Sequence, residues 1–127
     1  MYIDTSALAR VLLGEPDAPA VVRALERFDR SVSSRLLRIE LRRVGLRRGR
    51  LADVDQLLAG VALIPMADDL LALAETIEPT AVATLDAIHL ATAVRLAAGV
   101  RLDAVVTYDR RLADGARHHG LTVIAPA

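Results

Sequence analysis

The chain has 127 residues, of which 54% are apolar and 25% charged, so it is long enough to form one hydrophobic core and is not typical of a disordered protein. It contains no cysteine, and all sixteen of its basic residues are arginine. This composition excludes disulfide scaffolds, thiol nucleophiles, cysteine-based zinc sites and phosphate loops that need a lysine. We expect a single domain that spans residues 1–127.

Short apolar runs alternate with segments of helical spacing along the whole chain. Four apolar runs predict strands at residues 1–4, 61–64, 104–107 and 121–124, and Ser31–Ser34 is a fifth, short strand candidate. The segments between them predict helices over residues 7–13, 17–28, 36–48, 50–59, 68–77, 84–98 and 110–118. This alternation predicts an α/β fold with a parallel sheet covered by helices on both faces. In such sheets the functional site lies at the carboxyl ends of the strands.

The formal net charge of zero conceals an uneven distribution. Residues 35–50 hold seven arginines and one acid, Glu40, and so carry a formal charge of +6, while the rest of the chain carries −6. A block of this kind is either a solvated helix face or a surface that binds phosphate groups or an acidic partner. The sequence leaves these alternatives open, and it identifies no particular substrate-binding residue.

Two acidic residues follow predicted strands. Asp4 comes directly after Met1-Tyr2-Ile3, and Asp109 follows Val105-Val106-Thr107-Tyr108. Because parallel strands bring their carboxyl ends to one edge of the sheet, these two side chains are expected to share a rim. The alternative is that each aspartate only caps the helix that follows it.

Two further acids stand on predicted helices. Glu40 leans toward the apolar stripe of its helix, although an ion pair with Arg43 or Arg47 is an alternative use for it. Asp86 opens a helix that is apolar on nearly all sides, where an acid is also favoured simply by the helix dipole. Clustered carboxylates repel one another unless a proton or a cation intervenes, and all-oxygen ligands suit Mg²⁺ or Mn²⁺. The chemistry that fits such a group is phosphodiester hydrolysis.

Five blocks of the sequence form a family-like pattern in order and spacing: Asp4-Thr5-Ser6-Ala7-Leu8, Ser34 to Glu40-Leu41, Leu85 to Ala93, Val105 to Leu112, and Gly120-Leu121-Thr122-Val123. With these blocks the sequence resembles the PIN-domain ribonucleases and, within them, the VapC-type toxins of type II toxin–antitoxin systems. The resemblance implies a three-layer α/β/α sandwich with a five-stranded parallel sheet in the order 3-2-1-4-5.

The resemblance also implies the functional residues. Asp4, Glu40, Asp86 and Asp109 would form a catalytic group around one or two Mg²⁺ or Mn²⁺ ions, with Asp4, Asp86 and Asp109 as metal ligands. Asp103 and Asp114 are alternatives to Asp109, because they are close to it in the sequence. Ser6 and Thr107 look like the supporting hydroxyls of the family. His89 is expected to be a helix residue without a catalytic role.

The function implied is that of a metal-dependent endoribonuclease that acts as a toxin on structured RNA such as tRNA or rRNA. Its implied partners are a second copy of the chain and a VapB-like antitoxin. The alternative function is a catalytically silent PIN-like module that binds RNA or protein. No apolar run approaches the roughly 20 residues of a membrane helix, and we expect a cytoplasmic protein without a membrane partner.

Overall fold

The structure is a computed structural model that describes residues 1–127. Its five strands are β1 (Tyr2–Ile3), β2 (Ser31–Ser34), β3 (Val61–Ile64), β4 (Val105–Val106) and β5 (Val123–Ile124). All neighbouring strands are parallel, and their order is β3-β2-β1-β4-β5. The predicted fold class and strand order are therefore confirmed, although β1, β4 and β5 are only two residues long, shorter than the sequence indicated.

Seven helices connect or follow the strands: α1 (Thr5–Leu13), α2 (Ala18–Arg27), α3 (Arg35–Arg48), α4 (Leu51–Ala59), α5 (Asp68–Thr76), α6 (Thr84–Gly99) and α7 (Arg110–His118). Helices α1 and α3 end at Gly14 and Gly49, whose φ angles of 65° and 67° lie in the left-handed region that only glycine adopts without cost. Helix α1 begins at Thr5 rather than at residue 7, because Asp4 caps it. None of the seven helices is both long and apolar enough to cross a membrane.

Successive residues of the central strands point to opposite faces of the sheet, as the two-residue period of a strand requires. Ile3 of β1 and Val106 of β4 pack in a cluster with side chains of α1 to α4. Their neighbours Tyr2 and Val105 pack in a second cluster with side chains of α6 and α7. The helices therefore cover both faces, and the three layers hold the carboxyl ends of β1, β2 and β4 at one edge between them.

Candidate active site

Asp4 lies directly after β1 and is only 3% exposed. Its Oδ1 accepts hydrogen bonds from Ser6 Oγ at 2.7 Å and from the backbone N–H of Ala7 at 3.3 Å, and its Oδ2 accepts one from Thr107 Oγ1 at 2.8 Å. Burial raises the pKa of Asp4, and the hydrogen bonds from Ser6 and Thr107 oppose that rise. Asp4 thus caps α1 and also stands at the carboxyl edge of the sheet, so the two uses predicted for it coexist.

The hydroxyl groups of Ser6 and Thr107 link Asp4 to the end of β4. Thr107 Oγ1 accepts a 3.0 Å hydrogen bond from the backbone N–H of Asp109, and it lies 3.3 Å from Ser6 Oγ. Asp109 Oδ1 in turn accepts a 2.8 Å bond from the backbone N–H of Leu112 and caps α7. The structure therefore places both predicted supporting hydroxyls between the two strand-end aspartates.

Asp86 lies in the first turn of α6, where its partly buried carboxylate forms no hydrogen bond within the chain. The pKa of Asp86 is raised to about 6, first by burial, then by the negative charges of Asp109 and Asp4, with a smaller effect of Glu40. Such shifts require that the charges lie close enough to interact through the protein. The four acids, which come from four different elements, therefore share one electrostatic environment.

Glu40, on the second turn of α3, is held by neighbours that sequence reasoning did not identify. Its Oε1 accepts a hydrogen bond from Thr5 Oγ1 at 2.7 Å and lies 2.8 Å from His89 Nε2. Burial by itself would raise the pKa of Glu40, but the hydrogen bonds from His89 and Thr5 outweigh it and the pKa is lowered. No arginine forms an ion pair with Glu40, so the predicted alternative of a pair with Arg43 or Arg47 is wrong.

The two alternatives to Asp109 lie elsewhere. Asp103 precedes β4, at the amino end of the strand, and its Oδ1 lies 3.2 Å from the exposed Arg101 Nε. Asp114 is an exposed residue of α7 with its Oδ1 at 3.5 Å from Arg117 Nη1. Asp109 follows β4 at the carboxyl edge, and its charge acts on Asp86.

His89 was expected to be a plain helix residue, but it is a buried polar contact of the site. It is 1% exposed, and its ring nitrogens face Tyr2 Oη at 2.7 Å and Glu40 Oε1 at 2.8 Å. The signal in the sequence was a single histidine between the apolar pairs Ala87-Ile88 and Leu90-Ala91. That signal does not reveal a partner 49 residues away in the chain.

The arginines of α3 remain largely without acidic partners. Arg42 pairs with Asp55, and Arg50 pairs with Asp53 and donates to the carbonyl of Leu12. Five other arginines of residues 35–50 form no ion pair: Arg35, Arg38, Arg43, Arg47 and Arg48. The helix that carries Glu40 therefore also carries a surface of uncompensated positive charge.

Tyr108, next to Asp109, is not a free platform for a nucleotide base. The Arg10 guanidinium lies 3.8 Å from the centre of its ring, and Arg10 is fixed in turn by an ion pair with Asp17 at 2.8 Å. The Tyr108 hydroxyl donates to the carbonyl of Pro126. These contacts occupy one face and the polar end of the ring.

The acidic group fits a hard divalent cation in its donor chemistry. All four candidate groups offer carboxylate oxygens, and the raised pKa of Asp86 reflects its burial and, after that, neighbouring negative charge that a cation would relieve. No three His, Asp or Glu side chains are already arranged so that they could hold a metal ion. The residues therefore match the ion in type and charge, and binding would require their side chains to converge.

Comparison with known proteins agrees with this fold. The profile of the PIN domain family matches residues 1–118. A solved structure described as a toxin–antitoxin complex from Klebsiella pneumoniae superposes with a TM-score of 0.71 and 21% sequence identity, covering 99% of this chain and 97% of that one, and shares the fold. The chain belongs to the PIN-domain family.

Relatives within the family are similar over their whole length. Ribonuclease VapC47 of Mycobacterium tuberculosis (strain CDC 1551 / Oshkosh) is 37% identical over 133 residues, which cover 99% of this chain and 96% of that protein. Ribonuclease VapC46 of Mycobacterium tuberculosis (strain ATCC 25618 / H37Rv) is 40% identical over 129 residues, which cover 100% of this chain and 98% of that protein. Within the PIN-domain family, this chain is thus of the VapC type, and the resemblance found in the sequence is confirmed.

Proposed function

We propose that the chain is an endoribonuclease that acts as the toxin of a toxin–antitoxin pair and hydrolyses phosphodiester bonds in structured RNA, such as tRNA or rRNA. One observation carries this proposal. Four acids from four separate elements share one electrostatic environment, in which the charges of Asp109, Asp4 and Glu40 help to raise the pKa of Asp86 to about 6. The names of the relatives, which are ribonucleases, support the same activity.

Mg²⁺ or Mn²⁺ is the proposed cofactor, with Asp4, Asp86 and Asp109 as its ligands. Such an ion, when bound, neutralises phosphate charge and activates water at neutral pH. Asp86 forms no hydrogen bond that would have to break when it binds the ion. Asp4 and Asp109 each use carboxylate oxygens as helix caps, but a carboxylate has about four lone-pair positions and keeps others free.

Glu40 is proposed to orient the water that attacks the phosphorus. Both hydrogen bonds that it accepts reach Oε1, which leaves Oε2 available to accept a proton or a hydrogen bond from water. Its lowered pKa keeps the group ionised at neutral pH, as this role requires. In the reaction the water oxygen forms a bond to phosphorus and gives one proton to Glu40 Oε2, the bond to the leaving oxygen breaks, and the leaving oxygen takes up a proton from the solvent.

The arginines of α3 are proposed to contact the RNA backbone. The five that lack ion pairs can neutralise phosphates without first breaking a contact within the chain. With only three aromatic residues in the chain, and one face of the Tyr108 ring covered, stacking on bases contributes little, so the substrate is recognised mainly through its shape and its phosphates.

The proposed protein partners are a second copy of this chain and a VapB-like antitoxin. Similarity to a chain from a toxin–antitoxin complex supports the antitoxin. A sizing experiment on the purified chain at micromolar concentration tests the homodimer. Coexpression with the gene that lies beside it tests the antitoxin, because a cognate antitoxin restores growth and copurifies with the toxin.

A catalytically silent RNA- or protein-binding module is the second candidate. The observation that favours it is that no three potential ligands are already arranged around a point that could hold a cation. The two candidates differ in a simple test, because a silent module binds RNA without cutting it at any concentration of Mg²⁺ or Mn²⁺.

The decisive experiment is a cleavage assay on tRNA and rRNA with purified wild type and four matched Asp→Asn variants, at positions 86, 109, 103 and 114. Asparagine is as good a helix cap as aspartate, so Asp109→Asn preserves the cap and removes the charge. We expect cleavage only with Mg²⁺ or Mn²⁺, and a loss of most activity in Asp86→Asn and Asp109→Asn. Asp103→Asn and Asp114→Asn should cleave like wild type, because both residues lie outside the acidic group.

Two outcomes would contradict the proposal. Undiminished cleavage in excess chelator would exclude the metal mechanism. Equal losses in all four variants would show that the substitutions disturb the fold rather than a site at the carboxyl edge of the sheet.

A further inference from the structure

We infer that His89, oriented by Tyr2, is a positioning residue for Glu40. It holds Oε1 of the carboxylate in place and leaves Oε2 to contact the attacking water. The inference rests on the proposed function, because it assigns Glu40 to the reacting group. It adds two residues, Tyr2 and His89, to the four acids and the two hydroxyls of the site.

The observation is a line of hydrogen bonds that runs through the core to Glu40. The backbone N–H of Ser34 donates to Tyr2 Oη at 3.1 Å. Tyr2 Oη lies 2.7 Å from His89 Nδ1, and His89 Nε2 lies 2.8 Å from Glu40 Oε1. The line thus joins the end of β2, strand β1, helix α6 and helix α3.

One neutral tautomer of the histidine satisfies the donors and acceptors along this line. Because Ser34 N–H occupies a lone pair of Tyr2 Oη, the phenol is free to donate its own proton to His89 Nδ1. An ionised carboxylate only accepts hydrogen bonds, so the nitrogen that faces Glu40 must carry a proton. Both conditions are met by the tautomer protonated at Nε2.

Packing holds the two rings in this arrangement. Tyr2 is fully buried and His89 is 1% exposed. Their ring centres are 5.9 Å apart at an interplanar angle of 79°, an edge-to-face contact that aromatic rings favour. The burial of the phenol raises the pKa of Tyr2, so its hydroxyl remains a donor throughout the neutral range. The imidazole therefore has little freedom to turn away from Glu40.

The consequence for Glu40 is a restricted carboxylate. Thr5 of α1 and His89 of α6 both donate to the same oxygen, Oε1, so two different helices hold it. A glutamate side chain that is free to rotate loses entropy when it is ordered for reaction, and this pair of donors removes that cost in advance. The side chain remains 24% exposed, so its second oxygen is still accessible.

Two amide substitutions distinguish a His89 that positions Glu40 from a His89 that only fills space in the core. In His89→Gln the amide nitrogen can occupy the place of Nε2 and donate to Glu40. In His89→Asn the shorter side chain reaches only the Tyr2 side. Tyr2→Phe removes the donor to Nδ1, and Tyr108→Phe, which removes the only other tyrosine hydroxyl of the chain, is its control.

Single-turnover cleavage of RNA at saturating metal is measured for each variant, together with RNA affinity and thermal unfolding. We expect His89→Asn to cleave about 10- to 100-fold more slowly, the range found when a supporting partner of a site residue is lost. His89→Gln should recover most of the rate, and Tyr2→Phe should lie between the two. Tyr108→Phe should match wild type, and RNA affinity should be unchanged throughout.

A spectroscopic measurement on the metal-free wild type tests the arrangement independently of activity. The nitrogen chemical shifts of His89 should show a proton on Nε2 and none on Nδ1. The carbon shift of the Glu40 carboxyl should move in His89→Asn but not in His89→Gln. A proton on Nδ1 alone, or equal cleavage by the Asn and Gln variants at equal thermal stability, would overturn the inference.

The two proposals fail in different ways. If wild type cleaves no RNA with either metal, the proposed function fails, and the nitrogen and carbon shifts alone decide whether His89 positions Glu40. If wild type cleaves and His89→Asn cleaves equally well, the function stands and the positioning role is wrong. If His89→Asn does not fold, the comparison of Tyr2→Phe with Tyr108→Phe gives the answer.

Discussion

Thr107 Oγ1 donates a 2.8 Å hydrogen bond to Asp4 Oδ2 across 103 residues of chain, and this contact helps to tie the end of β4 to the end of β1. The same oxygen accepts the backbone N–H of Asp109. Thr107 is 1% exposed, so water does not replace these bonds if they are lost. One hydroxyl thus fixes the relative position of two acids of the proposed site.

Thr107→Val is therefore expected to destabilise the fold. It keeps the shape of the side chain but leaves Asp4 Oδ2 and the Asp109 N–H without this partner, which costs about 1.5–3 kcal/mol for a hydrogen bond to a charged group. Denaturant unfolding of the metal-free protein measures the loss. Thr107→Ser is the control, because it keeps the hydroxyl and removes one methyl, worth roughly 0.8 kcal/mol. A valine variant as stable as the serine variant would contradict the structural role of the bond.

Asp86→Asn is expected to change how stability depends on pH. Between the ordinary pKa of 3.8 and the folded value of about 6, the folded state binds more protons at Asp86 than the unfolded chain does. The contribution of Asp86 to the free energy of unfolding therefore falls as pH rises through that window. This loss, the penalty for ionising Asp86 in the folded protein, is complete above a pH of about 6. Since Asp86 forms no hydrogen bond, the asparagine variant removes the penalty without removing a contact.

The measurement is the free energy of unfolding of wild type and Asp86→Asn in excess chelator, at about pH 5 and about pH 7. The stability gained by the variant should be larger at the higher pH. The pKa of Glu40 is lowered, so its contribution to stability is lost toward acid. This loss occurs in both proteins and cancels when their free energies of unfolding are compared. An equal gain at both pH values would mean that the pKa of Asp86 is not raised in the folded protein.

Divalent cations are expected to stabilise the folded protein by binding to it and not to the unfolded chain. One bound ion contributes roughly 2.7 kcal/mol at a hundredfold excess over its dissociation constant. Melting curves with chelator, with Mg²⁺ and with Mn²⁺ measure this gain. Asp86→Asn should gain much less than wild type, while Asp103→Asn should gain as much, because Asp103 lies at the opposite end of β4. Equal gains in all three proteins would place the ion outside the acidic group.

Gly45→Ala is expected to weaken the contact between α3 and α4. A Cβ at Gly45 would lie 2.4 Å from Cγ2 of the fully buried Val54, so one of the two must shift, while its 3.4 Å distance to the carbonyl oxygen of Arg50 is an ordinary contact. We expect a loss of about 1–3 kcal/mol, as for overpacked cores. Gly99→Ala is the control, because no atom lies within 4 Å of its added Cβ. If denaturant unfolding shows that Gly45→Ala is at least as stable as Gly99→Ala, this account of the contact is wrong.

The sequence predicted the fold well where local patterns carry the information. Strands β2 and β3 and helix α7 have the bounds that the sequence predicted. The strands β1, β4 and β5 are shorter than predicted, although the N–H groups of Asp4 and Thr107, just beyond β1 and β4, still donate to the carbonyls of Val106 and Ile124 on the neighbouring strands. Strand ends depend on the partner strand, which the sequence of one strand does not contain.

The candidate site divides in the same way. By itself the sequence determined where the acids stand: Asp4 and Asp109 after strands, Asp86 at the start of a helix, and Glu40 on an inner flank, because each position follows from local periodicity. Only the tertiary structure decided between the alternatives for them. Whether a strand-end aspartate is a cap, a site residue or both depends on which hydroxyl reaches it, and Thr107 reaches Asp4 from across the sheet. Glu40 likewise lies beside His89 and Thr5, which are 49 and 35 residues away, rather than beside the arginines of its own helix. Burial is the physical reason, because inside the protein a polar group must take the partner that packing brings to it, whereas periodicity along the chain reports only the face on which the group stands.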